Sequence, residues 1–246
     1  MNQQRFEQAR LKVLSNLKKQ SGIGTLAEKS VHAVLKAYCE PYEDSCEIRI
    51  GSYVADIVGE DGIIEIQTRQ FSRLTEKLKE YLPLCHVTIV YPILSEKWIA
   101  TIDSKTGTVL SRRKSPLHGN LWNLLEELCG IKEFLGNPSL SFRTVLLEAE
   151  ELRTVGTKRQ KGKKIDLIPL RLLEEHAFNH PMDFSKILPS SLPSNFTSRI
   201  LAETERIPLS MAQTGLYLLN RLGCVKRIGK QGKSYLYQKE YEDSST

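Results

Sequence analysis

No run of apolar residues in this 246-residue chain approaches the roughly 20 that a membrane-spanning helix needs, so no membrane protein of that kind is expected. The N-terminus, Met1-Asn2-Gln3-Gln4-Arg5, opens a polar amphipathic stretch where a secretory signal would carry an apolar segment. Cysteine is sparse: Cys39, Cys46, Cys85, Cys129 and Cys224 are scattered, odd in number and never spaced as CxxC. That argues against a zinc site or a disulfide framework and for a reducing, cytoplasmic setting. There is no G-x-x-x-x-G-K-[ST] segment, so ATP-driven chemistry is not encoded. Aromatic residues are only 7% of the chain, which argues against a basic surface built to stack single-stranded bases. No acidic residue lies between Glu205 and Glu240.

That last absence belongs to a larger asymmetry. Residues 1–150 hold 19 Lys/Arg and 19 Asp/Glu, whereas residues 151–246 hold 16 and 10, so the whole net charge of +6 sits in the second part. A neutral half beside a basic one points to phosphate affinity in the latter. Within 158–164 the basic residues are Lys158, Arg159, Lys161, Lys163 and Lys164. Such a run reads either as a DNA-facing hairpin tip or as a solvated loop.

Helical spacing predicts helices over 3–19, 25–38, 71–82 and 121–128, the second broken by Glu40-Pro41. Strands are expected over 48–58, 63–68 and 86–93, with a further hairpin from 98–103 and 108–112. A strand following a helix following a strand implies a crossover and parallel pairing. Segments 146–154 and 165–173 read as strands or short helices around the basic run. Residues 181–193, rich in Pro and Ser, read as the end of a linking region.

The most informative segment is 54–67, two β-branched runs around Gly59-Glu60-Asp61-Gly62. With Glu60 and Asp61 as a two-residue loop, Gly59 pairs with Gly62 and Asp56 lies opposite Glu65, on the face that Gln67 shares. A three-residue loop would shift the register and separate the acids. Directly opposed carboxylates repel, with Cβ atoms roughly 5 Å apart. The two alternatives are a solvated acidic face and half of a site for a divalent cation such as Mg²⁺. Val54, Ile64 and Ile66 surround the acids with apolar residues and favour the second, because a buried carboxylate is costly unless paired or metal-bound.

In order and spacing these residues resemble the PD-(D/E)XK nuclease superfamily, with its restriction-endonuclease-like fold. Asp56 matches the first acid and Glu65-Ile66-Gln67 the acid-any-lysine triplet. Gln67 departs from the pattern: its amide can hydrogen-bond but carries no charge. Glu28 sits where many branches carry a glutamate on the preceding helix, although Thr25-x-x-Glu28 is also a capping box. His32, one turn after Glu28, is a further candidate, as metal neighbour, DNA contact or structural residue. Arg69 either supplies the positive charge missing at Gln67 or is an exposed residue at a helix start. The resemblance covers about the first 110 residues. It implies a site of Glu28, Asp56, Glu65 and Gln67, with Mg²⁺ (or Mn²⁺ in its place) held by Asp56, Glu65 and the Ile66 carbonyl.

Residues 196–205 and 209–222 read as two helices, followed over 224–237 by a basic segment that alternates, turns at Gly229 to Gly232 and alternates again. Helix, helix, basic hairpin resembles a winged-helix DNA-binding module. The resemblance implies Ser210, Gln213, Thr214 and Tyr217 near the start of a groove-entering helix, and Arg221, Lys226, Arg227, Lys230 and Lys233 on phosphates. The expected fold is therefore α/β: a restriction-endonuclease-like mixed sheet flanked by helices, with a small winged-helix C-terminal domain. Its expected parts are a nuclease core (1–135), a connecting region with the basic loop (136–180) and a DNA-binding domain (181–246). The expected activity is metal-dependent endonucleolytic hydrolysis of DNA. The alternatives are a non-catalytic DNA-binding regulator on a degenerate core, or a structure-selective nuclease on branched DNA or RNA. Cutting both strands calls for two sites, which a homodimer would supply.

Overall fold

The computed structural model describes residues 2–20, 30–103, 106–156 and 162–240. They form a mixed α/β structure with a seven-stranded mixed sheet flanked by helices, and a separate three-stranded sheet. The chain divides into two compact units, each assembled from three stretches of sequence: 1–68, 90–120 and 144–176 in the first, and 69–89, 121–143 and 177–246 in the second.

The first unit holds helices α1 (Gln3–Gln20) and α2 (Ser30–Cys39) and strands β1 (Cys46–Ile50), β2 (Tyr53–Gly59) and β3 (Gly62–Ile66). It also holds β5 (Val109–Lys114) and most of β4 (Val87–Ile102), β6 (Leu140–Thr154) and β7 (Lys164–Phe178). The order across the sheet is β1-β2-β3-β4-β6-β7, with β5 paired to the far end of β4. One cluster makes its core: Phe6 and Ala9 of α1 and Val31, Val34 and Leu35 of α2 cover Ile57, Ile66, Val90, Val145, Leu147 and Leu172 of five strands. Trp98 of β4 lies at the sheet's far end, its Nε1–H donating to Glu148 Oε1 (2.8 Å) and the Arg112 guanidinium 4.0 Å above its ring.

In the second unit, α3 (Thr75–Tyr81) and α4 (Trp122–Leu128) join α5 (Ser198–Glu205), α6 (Leu209–Arg221) and strands β8 (Asn195–Thr197), β9 (Val225–Gln231) and β10 (Ser234–Lys239), ordered β8-β10-β9. Trp122 is fully buried and donates to Glu205 at 2.9 Å. Gly215 lets α6 approach it: a Cβ there would stand 2.7 Å from the indole ring.

Several elements differ from the sequence reading for local reasons. The strand expected over 48–58 is a hairpin, because Gly51 turns at a φ of 55° and pairs Ile50 with Tyr53. The segments at 86–93 and 98–103 fuse into the 16-residue β4. Residues 136–180 hold the 15-residue strands β6 and β7, whose buried faces join the core. The helix expected from 196 starts at Ser198, since Asn195–Thr197 pairs with β10 and the Thr197 hydroxyl then accepts from Ile200 N (3.4 Å). The basic hairpin turns at Gly232 (φ 61°), later than Gly229, so β9 runs on to Gln231. No described helix is long and apolar enough to cross a membrane.

Candidate functional site

The β2–β3 hairpin adopts the two-residue loop, pairing Gly59 with Gly62, Val58 with Ile63 and Ile57 with Ile64. One more step in this register sets Asp56 opposite Glu65, but there the strands part. Asp56 Oδ2 accepts the Ile66 backbone N–H at 2.7 Å, taking the place a backbone carbonyl would hold in a continuing ladder. The same oxygen lies 3.2 Å from His32 Nε2, so α2 reaches the split in the sheet. His32 and Asp56 are partly exposed, with side chains 24% and 19% accessible, whereas Glu65 is buried at 3%. Gln67 N donates to Val90 O at 3.0 Å, which holds the residue after the split against β4.

These placements bring His32, Asp56, Glu65 and Ile66 to one end of the hairpin. Glu28, and with it Thr25, lies outside the described residues. Arg69 does not extend the β3 face, because β3 ends at Ile66, and it belongs to the second unit. Among the described residues no three His, Cys, Asp or Glu side chains gather as a metal-ligand set. The oxygens of Asp56, Glu65 and the Ile66 carbonyl are nonetheless the donors a hard cation prefers, and Mg²⁺ is commonly held by only one or two carboxylates with water completing its shell. The donor chemistry fits Mg²⁺ or Mn²⁺.

The candidate nucleic-acid contacts fall in two places. Lys158, Arg159 and Lys161 lie outside the described residues, while Lys163 and Lys164 lead into β7. Lys164, Lys97 and Arg153 all approach the Glu151 carboxylate, with Lys97 at 3.3 Å and Lys164 at 3.7 Å. Burial alone would raise the Glu151 carboxyl; the Arg153 hydrogen bond and the lysine charges outweigh it and hold it below the usual range. In the second unit, Ser210, Gln213, Tyr217 and Arg221 form one exposed stripe along α6 at helical spacing. Lys226, Arg227, Lys230 and Lys233 are exposed on the β9–β10 hairpin, and among the described residues none of the four is ion-paired. Arg227 stacks over Tyr235, 3.6 Å from the ring centroid, and its N–H donates to Asn220 at the end of α6 (3.1 Å).

Two buried acids escaped the sequence reading, Glu151 and Asp166. Asp166 carries the signal that singled out Asp56, a lone acid within an apolar strand, in Ile165-Asp166-Leu167. The neighbouring basic run drew the reading toward a loop instead.

The chain is similar to an uncharacterised protein of Treponema pallidum (strain Nichols), 30% identical over 223 residues that cover 89% of this chain and 88% of that protein. No solved structure matches it significantly. Residues 29–179 match the family described as Domain of unknown function (DUF8091), a span that takes in α2, the β2–β3 split and every strand of the large sheet. The chain belongs to that family.

Proposed function

We propose that this protein is a metal-dependent nuclease that hydrolyses DNA phosphodiester bonds at the β2–β3 split, on a core of restriction-endonuclease-like type. The observation that carries the reading is the partly exposed Asp56 carboxylate, held by the Ile66 N–H and His32 where the β2–β3 register, continued one step, would face it to the buried Glu65. Opposed acids in an apolar sheet are costly unless a cation or a hydrogen-bond network compensates them.

Asp56, Glu65 and the Ile66 carbonyl would hold the cation. Bound there, Mg²⁺ would polarise a phosphoryl oxygen and acidify a water for attack on phosphorus. The Ile66 N–H and His32 fix the orientation of the Asp56 carboxylate before substrate arrives, as preorganisation requires. Gln67 lies one residue beyond Ile66 and would orient water or phosphate through its amide. The second unit would supply affinity. Its β8, α5, α6 and β9–β10 order supports a winged-helix-like reading, with the exposed α6 stripe facing a groove and the hairpin cations on phosphates.

The test is nicking of supercoiled plasmid in Mg²⁺ or Mn²⁺ by wild type and by Asp56→Ala. Metal-dependent nicking lost in the variant is expected. A second reading, a nucleic-acid-binding regulator on a degenerate core, draws on two features: Asp56 Oδ2 already bonded by protein donors, and the exposed cations of β9–β10. Equal DNA binding by both proteins without cleavage would select it.

A further inference from the structure

Asp166 of β7 is only 5% exposed and accepts three hydrogen bonds: from Ser30 N at 3.3 Å, from the Ser30 hydroxyl, and from Leu167 N at 2.7 Å. Ser30, 1% exposed, is the first described residue of α2. A strand 136 residues away thus receives both the amide and the hydroxyl of Ser30 and caps this end of the described helix.

His32 follows two residues later. Residues two apart on a helix project about 200° from each other. Ser30 therefore turns toward β7 while His32 turns the other way, to Asp56 of β2. The far end of α2 is tied to β7 as well: the Tyr38 hydroxyl donates to Glu175 Oε2 at 2.9 Å. Tyr38 lies six residues from His32, about 9 Å along the axis. Freeing the Tyr38 end moves His32 little. Freeing the Ser30 end, half a turn away, moves it directly.

We propose that Asp166 is a positioning residue which, through Ser30, anchors the turn of α2 that carries Ser30 and His32 and so holds His32 against Asp56. The kinetic consequence rests on the nuclease reading; the geometric one does not. A site displaced by about 1 Å can lose on the order of 100-fold in rate. Partial release of the cap in Asp166→Asn or Ser30→Ala should lower kcat for Mg²⁺-dependent plasmid nicking about tenfold or more, with KM for DNA within about twofold.

The experiment compares the full-length wild type with Asp166→Asn, Ser30→Ala and Glu175→Gln. The last loosens the same helix at its other end and should leave kcat nearly unchanged even where thermal stability falls. In parallel, the ¹⁵N resonances of the His32 ring and the ¹³C resonance of the Asp56 carboxylate are recorded at a single pH. Both should shift in Asp166→Asn and Ser30→Ala and stay in place in Glu175→Gln. Unmoved resonances in the two cap variants would overturn the proposal, as would an equal kcat loss in Glu175→Gln. If the wild type does not nick DNA at all, the nuclease reading fails, and the resonances alone decide the clamp.

Discussion

Replacing Lys226, Lys230 and Lys233 together with alanine tests the cationic hairpin quantitatively. All three are exposed, none is ion-paired among the described residues, and Lys230 lies 5.3 Å from the Tyr235 ring. Folding should therefore change little. If each lysine neutralises one phosphate, wild-type affinity depends on salt more steeply than the variant's by about 2.7 in the log–log slope. Between 50 and 200 mM salt, that difference shrinks the affinity gap between the two proteins by roughly 40-fold. Fluorescence anisotropy of a short labelled duplex across a salt series measures both slopes. Parallel lines, offset or not, would refute the assignment of these lysines to phosphates.

Other perturbations address the scaffold. Gly215→Ala drives a methyl group into the buried Trp122 ring, so a loss of about 1–3 kcal/mol from overpacking should exceed the gain of about 1 kcal/mol in helix propensity. Differential scanning calorimetry would show a lower Tm, and an unchanged or higher Tm would mean that α6 and α4 do not approach so closely. The Glu151 carboxyl is held below its ordinary 4.5, so its contribution to stability is present above that value and is lost as pH falls through its lowered one. Glu151→Gln should therefore lower the urea midpoint near neutrality and converge on wild type in acid; a pH-independent difference would contradict this. Burial pushes the Cys224 thiol up to about 12, and its Sγ lies 3.2 Å from Pro181 O. Native protein should resist alkylation at Cys224 until it is unfolded, which mass spectrometry of labelled peptides would check.

The register of the β2–β3 hairpin could be read from local pattern because a two-residue loop fixes it. The glycines at 59 and 62 settle the pairing from Gly59–Gly62 to Ile57–Ile64, and counting one step beyond it sets Asp56 against Glu65. The splitting of the strands could not be read, since it depends on the Asp56 carboxylate taking the Ile66 amide and on α2 arriving from elsewhere in the sequence. The same limit hid Asp166, whose partner is 136 residues away. Hydrophobic periodicity located most elements yet missed their joints. β4 absorbs Pro92, Ser95 and Glu96, which look like punctuation in isolation but lie within one strand. The basic run at 158–164 dominated a segment whose flanks, Val145 and Leu147 before it and Leu172 after it, belong to the central core.

The two tryptophans divide between the compact units, Trp98 in the first and Trp122 in the second. Each also sits in a distinct electronic setting: Trp98 beneath a guanidinium on a half-buried strand, Trp122 sealed in an apolar core with its N–H on a carboxylate. The chain thus contains two intrinsic optical reporters, one per unit. A Trp98→Phe or Trp122→Phe variant would let the emission of the remaining indole follow one unit alone through a denaturant titration. Coincident midpoints would mean that the units melt as a single cooperative body. Separated midpoints would mean that the half containing Asp56 and the half containing the cationic hairpin hold their structure independently.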